Sequence, residues 1–280
     1  FKRAPSVDLV AGPNDLLSVP ILIKNIIKER SQALAVSTME REQDFYVSDF
    51  RQDKNHAYVV ISEGCSNFCS YCVVPFVRGR LHCRDYKNIL GEIKGTVDKG
   101  ITDITLLGQN VNSYRYDDVN FVKLLTMVND IEGLKNFSFL TSYPKDVAKE
   151  LFPAMRDLEK IKKSLHLPVQ SGSDKILKMM NRGYSVSHYR KLAEEYRKLV
   201  NGALSTDVIV GFPTETEEDF QKTHDLLKDI GFDSAFIFKY STRPHTEAEK
   251  LTDDVSLKEK QRRHKILLEL QRNISRKKKC

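Results

Sequence analysis

Residues 58–72 read YVVISEGCSNFCSYC, a short β-branched run that leads directly into three cysteines. Cys65, Cys69 and Cys72 have the spacing C-x-x-x-C-x-x-C. Iron–sulfur clusters are bound by cysteine thiolates, usually four for one 4Fe–4S cluster. A loop that offers only three leaves one iron without a protein ligand, and a catalytic metal needs such an open position to bind its substrate. The stretch therefore predicts a strand followed by a catalytic 4Fe–4S loop, whose open iron binds the amino and carboxylate groups of S-adenosylmethionine (SAM).

A structural zinc site is the alternative for the same three thiols, with His82 or Cys83 as the fourth ligand. Zinc sites favour C-x-x-C pairs that lie well apart in the sequence, so the tight triplet favours the iron–sulfur cluster. The chain has five cysteines, and three of them fall within eight positions. An odd and clustered set is typical of a metal site in a reducing compartment and not of a disulfide framework.

From about residue 57, short hydrophobic runs alternate with polar or glycine-rich loops and with helical periodicity. The runs predict six strands, at residues 58–61, 104–107, 137–140, 164–167, 207–210 and 235–238. Strands that alternate with helices imply right-handed βαβ crossovers and a parallel sheet. The predicted class is therefore α/β, and six strands fit either a partial (β/α)6 barrel or an open sheet. The pattern alone does not choose between them.

The helices and the two ends of the chain indicate the domain organisation. We expect one helix from Asp85 to Gly100, a second over about residues 215–229, and a charge-rich third from Leu257 to Lys279. The predicted divisions are a tail of a preceding α/β domain at residues 1–30, a linker at 31–55, the barrel at 56–250 and a C-terminal helix at 251–280 that leads to a further domain.

Ligands of both parallel architectures bind beyond the carboxyl ends of the strands. Polar and glycine-rich loops follow each predicted strand and so predict one composite site. The candidate SAM contacts are Gly108, Gln109, Ser142, Gln170, Ser171, Asp207, Glu215 and Arg84. Each also has a structural interpretation, as a turn, a satisfied core group or a first-turn acid, and Ser173 is equally a helix N-cap. No residue is assigned as a general acid or base.

The charge balance and hydropathy set limits on the partners. The chain has 45 Lys and Arg residues against 38 Asp and Glu, a formal net charge of +7, which is compatible with a polyanionic partner such as RNA. No run of about 18 apolar residues is present, and the first residues lack the apolar segment of a signal peptide. A cytoplasmic protein that does not cross a membrane is the expectation.

Four motifs together resemble the radical-SAM methylthiotransferases, and within that family the MiaB type. They are residues 63–80 (EGCSNFCSYCVVPFVRGR), 106–114 (LLGQNVNSY), 166–173 (HLPVQSGS) and 207–213 (DVIVGFP). Enzymes of the family that act on ribosomal proteins carry an Asp-Thr-Thr-like run after the second strand, and residues 108–114 contain none. The resemblance covers nearly the whole chain.

The resemblance implies a partial (β/α)6 TIM-like radical-SAM barrel that transfers a methylthio group to C2 of dimethylallyl-adenosine 37 in the anticodon loop of tRNA. It also implies SAM and an electron donor as partners, a C-terminal RNA-binding domain, and a second 4Fe–4S cluster that donates the sulfur. No cysteine precedes Cys65, so the ligands of that second cluster are absent from this chain. Alternatives are another modified adenosine or a ribosomal protein as substrate and, from a different class, a zinc-stabilised RNA-binding module.

The chain departs from the family pattern at several positions. Cys83 stands where the family usually has serine, and His245 replaces a usual glycine. The other departures are Leu81, His82, Ser138 and Tyr143. None of them falls within the cysteine triplet.

Overall fold

The computed structural model describes residues 4–37 and 53–278, except for the side chains of residues 13 and 14. The chain divides into two units, residues 1–46 and residues 47–280. Each unit has its own secondary structure, and the predicted iron–sulfur loop belongs to the second.

The first unit is a short βαβ element. Strand β1 (Leu9–Ala11) leads through a 3-10 turn (Pro13–Ser18) into helix α1 (Val19–Glu29). Strand β2 (Ala33–Ala35) then pairs with β1 in parallel. Strand β2 lies inside residues 31–55, the segment expected to be a linker. A three-residue Ala-Leu-Ala strand is too short to give a periodic signal, and residues 38–52 of that segment lie outside the described residues.

The second unit contains the six predicted strands, together with two short antiparallel strand pairs. Its strands are β3 (His56–Val60), β4 (Ser62–Glu63), β5 (His82–Cys83), β6 (Asp103–Leu107), β7 (Arg115–Tyr116), β8 (Val119–Asn120), β9 (Asn136–Phe139), β10 (Ser164–His166), β11 (Ala203–Val210) and β12 (Ser234–Lys239). The long strands β3, β6 and β9–β12 match the six predicted runs. The pairs β4–β5 and β7–β8 are antiparallel.

Strand order identifies a barrel and not a doubly wound sheet. Two parallel sheets have the orders β3-β6-β9 and β10-β11-β12. They adjoin where Phe137 of β9 forms a parallel bridge with Ile161, just before β10. Each long strand therefore lies beside the next one in the chain, as in a (β/α) barrel, whereas a doubly wound sheet reverses its order. Within residues 53–278 no ladder joins β12 to β3, so the barrel is partial.

Helices connect the strands of this wall, and most of them pack against the next helix along the chain. They are α2 (Val74–Val77), α3 (Tyr86–Asp98), α4 (Phe121–Asn129), α5 (Leu151–Asp157), α6 (Asp174–Met179), α7 (Val186–Leu199), α8 (Glu217–Ile230) and α9 (Leu257–Lys277). Two predicted boundaries are visible as caps. The Asp85 side chain accepts from the N–H of Lys87 at the start of α3, and Gly231 ends α8 in the left-handed conformation.

Helical periodicity corresponds to the buried faces. Ile89 and Ile93 of α3 are fully buried, and each contributes roughly 2 kcal/mol relative to an exposed side chain. On α9, Leu267 is fully buried and the Gln271 side chain donates to the Phe232 carbonyl at 2.9 Å, so the last helix belongs to the barrel unit. Among the described helices, none combines the length and apolar character needed to cross a membrane.

Candidate active site

The cysteine loop starts with a backbone geometry that only glycine fits well. Gly64 has a φ of +70°, and a Cβ added there would lie 2.1 Å from the carbonyl oxygen of Arg80. The N–H of Cys65 donates to the Gly79 carbonyl at 3.2 Å, and the β4–β5 strand pair flanks the same contact. Gly64 is therefore required by both its φ and the close approach of another backbone segment.

Chain segments far away in the sequence hold the loop between the cysteines. Ser70 donates its hydroxyl to the Met179 carbonyl at 2.8 Å and its N–H to the Met180 carbonyl at 3.0 Å. Its own carbonyl accepts from the N–H of Ala248 at 2.7 Å. Asn181 donates its amide to the Phe68 carbonyl at 2.9 Å. The loop is thus attached to the end of α6 and to the turn that follows β12.

The three thiols face a partly enclosed environment. Cys69 is buried, and Cys65 and Cys72 are half-buried. Burial raises the pKa of the Cys65 and Cys72 thiols, and the nearby Cys69 raises them further. Thiolates bind metals and neutral thiols do not, so an iron–sulfur cluster here would displace protons from these groups when it binds.

The geometry does not favour the zinc alternative. The thiol of Cys83 accepts from the backbone N–H of Arg115 at 3.4 Å, and Cys83 pairs with Ser62 in the β4–β5 strand pair. Across residues 4–37 and 53–278, no three His, Cys, Asp or Glu side chains are placed to ligate a single metal ion. A 4Fe–4S cluster differs from zinc here, since its thiolates bind separate irons at separate corners.

Arg182 lies beside the cysteine loop and is not among the residues predicted from the sequence. Its Nη1 donates to the Cys69 sulfur at 3.4 Å and its Nη2 to the Pro168 carbonyl at 2.8 Å. Its Nε donates to the Tyr184 hydroxyl at 2.9 Å, and its guanidinium carbon lies 4.2 Å from the centre of the Tyr143 ring. Arg182 therefore connects the cysteine loop with the loops that follow β9 and β10.

Asp146 is a second residue that the sequence analysis missed. Its Oδ2 accepts from the Asn67 amide at 3.2 Å, from the Asn110 amide at 2.7 Å and from the Ser113 hydroxyl at 2.6 Å. One carboxylate thus joins the cysteine loop to the loops after β6 and β9. Three converging donors satisfy this carboxylate, so it acts as a structural link.

Unpartnered polar atoms collect at the carboxyl ends of β3, β6 and β9. Side-chain oxygens of Ser62, Gln109, Asn110 and Ser142 are buried without a hydrogen-bond partner. Buried polar atoms normally have partners, so this group leaves acceptors that a bound ligand or ordered water can satisfy. A Cβ added at Gly108 would lie 2.3 Å from the Ser62 hydroxyl, so this loop runs very close to the end of β3. Gln109 and Ser142, two of the predicted candidates, are thus among the residues with an unpartnered buried oxygen.

A pocket of 310 Å³ at the ends of β10, β11 and β12 contains two further candidates, Gln170 and Asp207. Tyr71 of the cysteine loop lines the same pocket, together with Phe238 and Arg243. Gln170 has a φ of +71°, an uncommon conformation for a side chain other than glycine. The structure thus brings Gln170 and Asp207 to the cysteine loop.

Two other candidates are committed to the scaffold. Arg84 is 6% exposed, forms an ion pair with Glu92 and donates to the carbonyls of Val60 and Asn88. The Ser171 hydroxyl is fully buried and accepts from the N–H of Ser173. Both side chains have structural partners in the barrel, and the SAM contacts expected at these two positions stay predictions.

Glu215 connects the rim of the barrel to the last helix. Its Oε2 accepts from the N–H of Gly211 at 2.6 Å and from Arg263 Nη1 on α9 at 2.7 Å. Its Oε1 is buried without a partner. Burial raises the pKa of this carboxyl, whereas the Gly211 and Arg263 hydrogen bonds oppose the rise. The position supports the loop after β11 and leaves one oxygen toward the buried rim.

We expect Glu215→Ala to destabilise the barrel unit by about 3 kcal/mol, because it leaves the buried Arg263 without its main partner. The value lies at the low end for a buried ion pair, since Glu259 still contacts Arg263. Urea unfolding measures the change, with Lys265→Ala on the exposed face of α9 as the matched control. Equal midpoints for the two variants would contradict the structural role of Glu215.

The site can now be compared with known proteins. The family model of the radical SAM superfamily matches residues 59–227, which include the cysteine loop and most of the barrel wall. The chain therefore belongs to the radical SAM superfamily, whose members use a 4Fe–4S cluster and SAM. The fold agrees: coproporphyrinogen III oxidase (HemN) of Escherichia coli, described as a radical SAM enzyme, superposes with a TM-score of 0.60 over 78% of this chain and 52% of that one, at 16% identity.

Within the superfamily, the chain is similar over nearly its full length to proteins named tRNA-2-methylthio-N(6)-dimethylallyladenosine synthase. It is 45% identical to that of Finegoldia magna over 275 residues, and 44% identical to that of Moorella thermoacetica over 278 residues. These matches cover 96% and 98% of this chain. The chain spans 59% and 63% of the length of these two relatives.

Proposed function

We propose that this chain forms the catalytic core of a methylthiotransferase that adds a methylthio group to C2 of dimethylallyl-adenosine 37 in tRNA. The observation that carries the proposal is identity of 45% to the Finegoldia magna synthase across 96% of the chain, a stretch that includes the cysteine triplet. Membership of the radical SAM superfamily supports the proposed type of reaction, and similarity to the synthases supports the proposed substrate.

Cys65, Cys69 and Cys72 are proposed as the three ligands of the catalytic 4Fe–4S cluster. When bound, the reduced cluster supplies the electron that divides SAM into methionine and a 5′-deoxyadenosyl radical. The protein holds the reactants in position. Gly64 and Ser70 fix the backbone of the loop. Tyr143, in the loop after β9, closes one side of it, and its hydroxyl lies 3.7 Å from the Cys69 sulfur.

The unpartnered oxygens of Gln109 and Ser142 are proposed to bind the methionyl end of SAM, together with the backbone of Gly108, which has no side chain. Gln170 and Asp207 are proposed to bind its nucleoside end or the target base, because both line the pocket next to Tyr71. An amide and a carboxylate offer the donors and acceptors that hydroxyl groups and base edges need. A pocket with polar groups at its rim and Phe238 in its wall suits a ring system.

The partners follow from the same proposal. The anticodon loop of tRNA is the proposed macromolecular substrate, and a net charge of +7 is compatible with a phosphate-rich partner. A reducing electron donor and a second 4Fe–4S cluster that donates sulfur complete the reaction. The end of a sulfur-donor domain is proposed for residues 1–30 together with strand β2, which pairs with β1. The remaining divisions are a linker in the rest of residues 31–55, the radical-SAM barrel at 56–250, and at 251–280 the helix that leads to an RNA-binding domain.

Loss of the gene that encodes the chain tests the substrate. We expect the methylthio derivative of dimethylallyl-adenosine to disappear from digested total tRNA, while its unthiolated precursor accumulates. Mass spectrometry of the nucleosides measures both species, and a plasmid copy of the gene is the control. If the methylthio nucleoside persists at its normal level while a ribosomal protein loses a methylthio group, the substrate is a protein and the proposal is wrong.

A further inference from the structure

Arg182 is a buried cation without a carboxylate partner. Its side chain is 4% exposed, and among the described residues no Asp or Glu forms an ion pair with it. A buried charge is costly unless another charge or several hydrogen bonds offset it. Hydrogen bonds to Tyr71, Tyr184 and Pro168 offset part of this cost, and a close, buried anion would offset more of it.

The other neighbours of Arg182 do not supply that anion. Tyr71, Tyr143 and Tyr184 surround the guanidinium, and phenols are neutral near pH 7 because their ordinary pKa is about 10. Burial raises the pKa of these tyrosines still further. The backbone carbonyl of Pro168 is also neutral. The remaining contact is the Cys69 sulfur, which becomes a thiolate when it ligates iron.

Arg182 is also the side chain that donates to Cys69. The Tyr143 hydroxyl lies 3.7 Å from the same sulfur, yet it gives its one hydrogen to the Arg182 carbonyl at 2.7 Å. Among the described side chains, only the Arg182 Nη1 then has a hydrogen directed at this sulfur, at 3.4 Å. The bonds to Pro168 and Tyr184 hold the guanidinium in the orientation that this contact needs.

We propose that Arg182 is a positioning residue that raises the reduction potential of the catalytic cluster through its N–H···S hydrogen bond to Cys69 and its buried charge. This inference rests on the proposed ligation of the cluster by the cysteine triplet. A cluster held by three thiolates gains one negative charge on reduction, so a fixed cation beside a ligand sulfur stabilises the reduced state more than the oxidised state. Hydrogen bonds to the sulfurs and the local net charge are among the factors that set the reduction potential of an iron–sulfur cluster.

The measurement is a potential titration of the bound cluster, followed by electron paramagnetic resonance (EPR). Arg182→Gln removes the charge, and we expect its reduction equilibrium to shift at least tenfold toward the oxidised form, about 59 mV for one electron. Arg182→Lys keeps a positive charge but loses the planar guanidinium, so its reduction potential should lie between those of wild type and Arg182→Gln. Arg197→Gln is the matched control, because Arg197 is a partly buried arginine that pairs with Asp233, and its potential should equal that of wild type.

A potential of Arg182→Gln equal to or above that of wild type overturns the proposal. Should both Arg182 variants fail to fold, wild-type protein grown with 15N-arginine decides the question. Pulsed EPR of its reduced cluster should show coupling to a guanidinium nitrogen, and an absent coupling overturns the inference. A wild-type chain that binds no cluster at all would instead refute the proposed cluster site. The two failures are therefore distinguishable.

Discussion

Replacing any one of Cys65, Cys69 or Cys72 by alanine is expected to abolish cluster binding. The triplet offers three thiolates for a 4Fe–4S cluster that already has one iron without a protein ligand. Loss of one of the three leaves two thiolates, and the Cys83 thiol already accepts from the Arg115 N–H. Iron and acid-labile sulfide should fall from about four of each per chain to background in an anaerobic preparation, and the brown colour should disappear.

Cys83→Ala is the matched control for this series. Cys83 is half-buried like Cys65 and Cys72, but its thiol accepts from the N–H of Arg115. We expect the variant to keep its full content of iron and sulfide. A Cys83→Ala chain that loses its cluster, together with a Cys72→Ala chain that retains it, would refute the ligand assignment. A colourless wild-type protein that contains zinc would favour the alternative zinc-stabilised module.

The strands and the cysteine loop could be predicted because their signals are local. Each long strand of the barrel is a hydrophobic run of a few residues, and the structure places all six within four residues of the predicted bounds. The cysteine spacing is likewise contained in eight positions. The choice between a barrel and an open sheet was different, since it depends on which strands pair. The β9–β10 junction at Phe137 and Ile161 decides it, and no periodic pattern encodes that contact.

The partners of the polar rim residues could not be predicted, because they come from distant parts of the chain. Arg182 reaches Cys69 across 113 residues, and Glu215 meets Arg263 across 48. The sequence shows that Arg84 is an arginine near the cysteine loop, but not that its guanidinium forms an ion pair with Glu92. The type of a polar residue determines which groups its side chain is able to bind. The tertiary structure determines which of those groups it does bind.

The chain of 280 residues, reconstituted and reduced without oxygen, is expected to cleave SAM to 5′-deoxyadenosine but not to thiolate RNA. The first reaction needs the cysteine loop and the rim, and one barrel unit contains both. The second also needs a sulfur donor. No cysteine precedes Cys65, and the thiol of Cys83 is bound to the Arg115 N–H, so this chain lacks a second set of three thiolates.

Chromatography with mass detection measures both products in one reaction mixture that contains tRNA carrying dimethylallyl-adenosine. Cys72→Ala is the control, because without a cluster it should release no 5′-deoxyadenosine above background. Adding an external sulfide source should leave SAM cleavage unchanged, since the cleavage uses the catalytic cluster alone. Methylthio-adenosine formed by the chain without added sulfur would show that the catalytic cluster itself donates sulfur, and the requirement for a second cluster would then be wrong.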